Sequence, residues 1–227
     1  MTAMTGLILG AIAFVGTHFA MSHPLRAPMV KALGEKMFGL VYVIVSFVTL
    51  YLMVHFYHRA FADSPAVLWD AGSAGWIVGT ILMWIGSVLF IGSLKSNPAF
   101  PTGGKPVGEI GAASRVFAIT RHPMTWGFAI WALVHVIVNP TPAAIVVSIA
   151  IGILALGGAA GQDHKKETLI GEPWRDWEAR TSFVPFGRGG AAPGGFAFIG
   201  GTLFWLAATY AHGALGFRPA GIWAFFA

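Results

Sequence analysis

Cysteine is absent from the 227 residues, and charged residues make up only 10% of them. Without cysteine there are no disulfides, thiolate zinc sites, iron–sulfur clusters, covalent c-type haem attachment or cysteine nucleophile. A metal or haem must therefore be held by histidine, carboxylate, methionine, tyrosine or backbone groups. Soluble domains carry about 25% charged residues. A chain at 10%, with 56% hydrophobic residues and a mean hydropathy of +0.71, is neither disordered, nor a soluble basic nucleic-acid binder, nor an ordinary cytosolic α/β enzyme. The HExxH, GxGxxG, Walker and GxSxG patterns are missing as well. The nine carboxylates are too sparse in the apolar stretches for acid–base pairs or proton relays there. Long apolar runs are present instead, with 30 glycines and nine tryptophans, as in membrane helices and their interfacial belts.

A spanning helix needs about 20 mostly apolar residues, and six stretches qualify, at roughly 5–21, 37–61, 74–94, 123–139, 142–161 and 195–217. The first has no preceding Lys or Arg and no small-residue cleavage site after it, so it reads as a retained helix. Asn139-Pro140-Thr141-Pro142 predicts a tight hairpin between the fourth and fifth. Twelve of the fourteen basic residues lie in three alternate connections, about 22–36, 95–122 and 162–194, leaving only Arg59 and Arg218 elsewhere. By the positive-inside rule these connections are cytoplasmic and both termini lie outside. The net charge of +5 is thus mostly topology. The expectation is one all-α domain over 1–227, a polytopic bundle of about six helices in a bacterial inner membrane. Pro101-Thr102-Gly103-Gly104 and Pro106 favour loop in the second connection. In the third, Trp174, Trp177 and Phe183 interleaved with charge predict a short amphipathic helix at the headgroup level.

Four of the eight histidines, His18, His55, His135 and His212, fall inside predicted spans. Ionisable groups there face a cavity, a partner or a cofactor; the plain alternative for each is a hydrogen bond to a backbone carbonyl. His55 and His58 share a helix face, but Tyr51, Tyr57 and Arg59 beside them mark an interfacial belt rather than a metal site. The most distinctive passage runs Thr120-Arg121-His122-Pro123-Met124 and on to Trp131-Ala132-Leu133-Val134-His135. Pro123 suits the first turn of a helix, where its missing N–H breaks no bond. Arg121 and His122 then sit at the cytoplasmic mouth, placed for an anionic headgroup or a cofactor carboxylate, or else as a plain positive-inside anchor.

Thr17-His18, Leu33-Gly34-Glu35-Lys36-Met37-Phe38, Arg121-His122-Pro123-Met124 with Trp131 to His135, and Thr181-Ser182-Phe183-Val184-Pro185-Phe186, occurring in this order, resemble the NnrU family. That family is associated with nitrite and nitric oxide reduction in denitrifying bacteria and is similar to the 15-cis-zeta-carotene isomerases, which carry haem b on histidine ligands. The resemblance implies haem b ligated by His18 and His135, with Arg121, His122 and Trp131 at the cofactor. Its possible roles are a haem-dependent isomerase of a lipophilic polyene drawn from the bilayer, a factor in nitrite and nitric oxide reduction, or a non-enzymatic assembly or haem-handling factor for respiratory complexes. Nucleic acid is no partner in any of them. Three residues before His135, where the isomerases have a cysteine, this chain has Ala132, so a thiolate ligand switch is excluded.

At 1.5 Å per residue, His135 lies roughly 20 Å above the cytoplasmic end of its helix and His18 at most about 10 Å above that end of its own. His55 and His212 lie closer to the level of His135, and His55 is the substitute ligand. Arg121-His122-Pro123 also resembles the cofactor motif of isoprenylcysteine and phospholipid methyltransferases. That alternative implies S-adenosylmethionine held with Glu167, Glu172 and Trp177, and leaves His18 and His135 without a role.

Overall fold

The computed structural model describes residues 1–100 and 110–225, and among them the chain is helical apart from loops and turns. The expected turn at Pro101–Gly104 and Pro106, and Lys105 with it, lies outside the described residues. Helix α1, Ala3–Ser22, begins on Thr2, whose side chain accepts a hydrogen bond from the Thr5 N–H. A turn at His23–Leu25 leads into α2, Arg26–Asp63. The connection expected over 22–36 is therefore mostly helix. Its flanks are good helix formers, and the break narrows to Gly34, whose φ of 77° and ψ of 160° kink α2 in a conformation that glycine adopts without a Cβ clash. Helix α3 is Gly72–Gly92, α4 is the single turn Val116–Ile119, and α5, Pro123–Val138, starts on its proline as expected.

The Asn139–Pro142 hairpin follows, capped by Thr141, and opens α6, Pro142–Ile170. This helix runs nine residues past its expected end at 161, because nothing breaks it before Gly171, at φ 77°. Then come α7, Glu172–Arg180, α8, Gly195–Ala214, and a 3-10 turn at Ile222–Phe225.

Four of these helices, α1, α2, α3 and α6, are long and apolar enough to cross a membrane. The apolar α5 has 16 residues, about 24 Å of rise, short of a hydrocarbon core of about 30 Å. Helix α8 has 20 residues but is not among the four. The chain is thus helical and membrane-like, with four long apolar helices among the described residues where six crossings are expected. Large apolar side chains such as Phe47 and Tyr51, about two-thirds exposed, face outward along α2, as lipid contact requires.

The helices pack in two groups. Helices α1, α2 and α6 enclose Leu7, Phe14, Met53 and Ala150, while α3, α4, α7 and α8 enclose Leu89, Val116, Trp174, Trp177 and Ala197, with α5 seated on α3. The two groups meet where α5 packs on α6. Lipid tails give no hydrophobic drive for helices to associate, so close approach through small residues matters. Gly10 lies against the α2 backbone at Met53, and Gly86 and Gly127 face each other across α3 and α5. Gly201 lies against α3, where an added Cβ would stand 2.8 Å from the Val88 nitrogen and 3.0 Å from the Ser87 oxygen. Backbone cannot swing aside as a side chain does. Gly201→Ala is accordingly expected to destabilise the protein by about 1–3 kcal/mol, read as a lower melting temperature in detergent. Gly158→Ala, with open space around it, is the neutral control.

Helix α7 forms where the amphipathic segment is expected, and its apolar face packs into the protein. Trp174 is fully buried and Trp177 is 2% exposed, in the cluster that holds Val116 and Phe117. Two indoles three residues apart make one apolar face, and the pocket around α4 fills it.

Candidate functional site

Two polar constellations stand out, one at each end of α5. At its start the 119–122 segment is bound edge to edge by the 181–186 segment. Arg121 N–H donates to the Ser182 carbonyl (2.8 Å), Phe186 N–H to that of Ile119 (2.9 Å), and the Thr120 hydroxyl to that of Phe183 (2.7 Å). Trp126 Nε1 donates to the same Phe183 carbonyl at 2.8 Å. Two passages that the sequence offers as separate motifs thus form one unit. The Phe183 ring packs on both side chains, 5.2 Å from the His122 ring and 5.5 Å from the Arg121 guanidinium.

Asp163 of α6 closes this unit. Arg121 binds it through Nε at 2.9 Å and a terminal nitrogen at 2.8 Å, both on Oδ2, and the same terminal nitrogen is 3.7 Å from Glu178 Oε1 on α7. His122, 3% exposed, holds Nε2 2.9 Å from Asp163 Oδ1, off the alignment of a hydrogen bond, and neither atom has another partner among the described residues. Burial pushes the Asp163 carboxyl up, but the contacts to His122 and Arg121 outweigh it and hold the group below the usual carboxylate range. Neither Asp163 nor Glu178 figures among the expected site residues. The available signal was density, since five of the nine carboxylates fall between 163 and 178.

Glu178 behaves oppositely. Burial, a hydrogen bond to Glu167 and the charges of Asp163 and Glu167 raise it from 4.5 to about 7, against the pull of Arg121. The folded chain therefore binds a proton here between pH 4.5 and 7 that the unfolded chain has released, and stability falls as pH rises through that window. Glu178→Gln is expected to raise the melting temperature relative to wild type at pH 8 and to leave it nearly unchanged at pH 4.5. A shift of equal size at both pH values would contradict this assignment.

Near the other end of α5, His135 and His212 of α8 come together with ring centres 6.5 Å apart. Each Nδ1 bonds the carbonyl one turn back, Trp131 at 2.8 Å and Ala208 at 2.7 Å, which leaves each Nε2 as the outward nitrogen. Trp131 stacks on His135 at 3.9 Å. His18 has the same Nδ1 bond, to the Phe14 carbonyl, but its ring neighbours are Phe14 and Tyr42 on α1 and α2. His55 lies against Tyr51 and Phe56 of its own helix. Among the described residues His135 is thus paired with His212, and neither His18 nor His55 has a histidine ring as neighbour. Among the described residues no group of three or more His, Asp or Glu gathers as a metal site.

The NnrU protein family matches residues 6–219, nearly the whole chain. The chain belongs to the NnrU family. No curated protein and no solved structure matches it. The match runs through both constellations of this NnrU protein, and family membership together with four apolar helices fits a multi-pass membrane protein. His212, which the pairing singles out, lies in the predicted sixth span, beyond the last of the motifs that carry the resemblance.

Proposed function

We propose that this NnrU protein is a six-crossing protein of the bacterial inner membrane that binds haem b at His135, with His212 as the opposite ligand. The observation that carries this reading is the His135–His212 pair. Two imidazoles on opposite sides of one metal ion, each about 2 Å from it, hold their ring centres about 6 Å apart, close to the 6.5 Å found. Both rings already present Nε2, and Trp131 supports one of them. Only two protein ligands are needed, so the lack of a larger cluster does not weigh against haem. His18, the ligand implied by resemblance, lies on a different helix pair, which favours His212 in its place.

Haem supplies one-electron chemistry when bound. A redox-dependent isomerase of a lipophilic polyene taken from the bilayer, or a factor in nitrite and nitric oxide reduction, uses it alike. Six crossings with the termini outside follow if α5 and α8 also span. In support, Arg121 of the second basic connection pairs with Asp163 and lies 3.7 Å from Glu178 in the third, and Arg26 of the first is within electrostatic reach of Lys165 and Lys166.

The methyltransferase reading is weaker. Arg121 is already neutralised by Asp163, Trp177 is in the core, and Glu172 is exposed. The test is the visible spectrum of the purified protein, oxidised and dithionite-reduced. A Soret band with sharp α and β bands on reduction supports haem b; a colourless protein that binds S-adenosylmethionine rejects it.

A further inference from the structure

Where α1, α2 and α6 come together at the basic end, Arg26, Lys165 and Lys166 form a cationic cluster beside His23. The ring of His23, at the end of α1, lies over Gly161, where a side chain would strike it, and His164, Lys165 and Lys166 follow on the next turn of α6. Arg26 opens α2 three residues after His23 and bonds Glu35 at 3.0 Å, a residue whose side chain is 63% exposed. Lys166 is 8% exposed, and its acceptor is the Phe100 carbonyl at 3.5 Å, the limit of a hydrogen bond. Among the described residues no carboxylate lies within 4 Å of either lysine. A buried ammonium without an anion is costly. Burial and then the charge of Arg26 push both lysines down, and burial, Lys165 and His164 do the same to His23.

A second observation lies on the same two helices. Between α1 and α6 runs an open groove of about 420 Å³, lined by Ile8, Ile12, Val15, Gly16, Ile149 and Ile153 and almost wholly apolar. From Gly16 to His23 is about 10 Å along α1. An apolar trough with a cationic cluster beyond its end matches a molecule with an acyl chain and a phosphate, and basic pockets between membrane helices on the cytoplasmic side bind anionic headgroups.

We infer that this face holds an anionic phospholipid, its phosphate among Arg26, Lys165 and Lys166 and one acyl chain in the α1–α6 groove. The site is independent of haem binding. In nanodiscs and by native mass spectrometry, wild type should retain phosphatidylglycerol over phosphatidylcholine, and each of Lys165→Gln and Lys166→Gln should weaken that retention about fivefold. Lys166→Gln should also gain thermal stability in phosphatidylcholine, where its charge is uncompensated. If Lys166→Gln does not fold, Lys165→Gln, at a more open position, carries the test. Gly16→Phe, with nothing within 4 Å to obstruct it, fills the groove and should reduce phosphatidylglycerol retention while leaving Lys165 and Lys166 in place. Equal retention of the two lipids, or an undiminished preference in the lysine variants, overturns the inference. So does full displacement of phosphatidylglycerol by inorganic phosphate with Gly16→Phe neutral, which assigns the cluster to a free anion.

Discussion

Asp163→Asn is expected to destabilise the protein by about 3–5 kcal/mol, the usual consequence of removing one partner from a buried ion pair. The Arg121 and Asp163 side chains are 14% and 11% exposed, so water does not take over when the carboxylate goes. Arg121 would lose the negative charge behind both short contacts and keep as anion only Glu178 at 3.7 Å, and His122 would lose the carboxylate that faces it. The effect should spread, because Arg121 and His122 belong to the strip that ties 119–122 to 181–186.

The sign with pH follows from the depressed Asp163 carboxyl. Its contribution is fully present above the ordinary value of 3.8 and is lost as pH falls through the lower folded value. The difference between wild type and Asp163→Asn should therefore be full at pH 7 and shrink only in strong acid. Replacing Arg121 as well should recover part of the loss, since the uncompensated guanidinium goes with it. Thermal or denaturant unfolding in detergent measures all three; a double variant that loses the full sum of the single losses would show that the two residues do not act as a pair.

The second large effect tests the proposed haem site. On that proposal His135→Ala is expected to abolish the haem spectrum, because His135 is common to both proposed ligand pairs and carries Trp131 on its ring. His212→Ala should leave one proposed ligand and change the visible spectrum without abolishing it. His18→Ala should leave the spectrum unchanged, since that ring packs on Phe14 and Tyr42. If His18→Ala bleaches the protein and His212→Ala does not, the ligand pair implied by the motif resemblance is the right one and the ring pairing is incidental.

Local features of the fold were legible in the sequence to the extent that their causes are local. Apolar runs, Pro123 at a first turn, the Asn139–Pro142 hairpin and the placing of the basic residues depend on side-chain type and near neighbours. So does the amphipathic stretch that became α7. Helices run on past the apolar stretches, at 26–36 and 162–170, because Lys and Glu are good helix formers once out of the hydrocarbon.

The site was legible by residue type, not by partner. Arg121, His122, Trp131 and His135 stand out from sequence alone, as does the family that the chain belongs to. Which groups meet them is another matter. Asp163 reaches Arg121 across 42 residues, the 181–186 strip reaches Thr120 across 63, and His212 is 77 positions from His135. Those meetings depend on which helices are neighbours and how each is rotated about its axis. That is decided by packing at Gly10, Gly86, Gly127 and Gly201 rather than by any period along the chain. By itself the sequence determined helical, membrane-like segments and a short set of unusual polar residues. Only the tertiary structure, through contacts between distant segments, decided that these residues form an ion-paired cluster at one end of α5 and a histidine pair near the other.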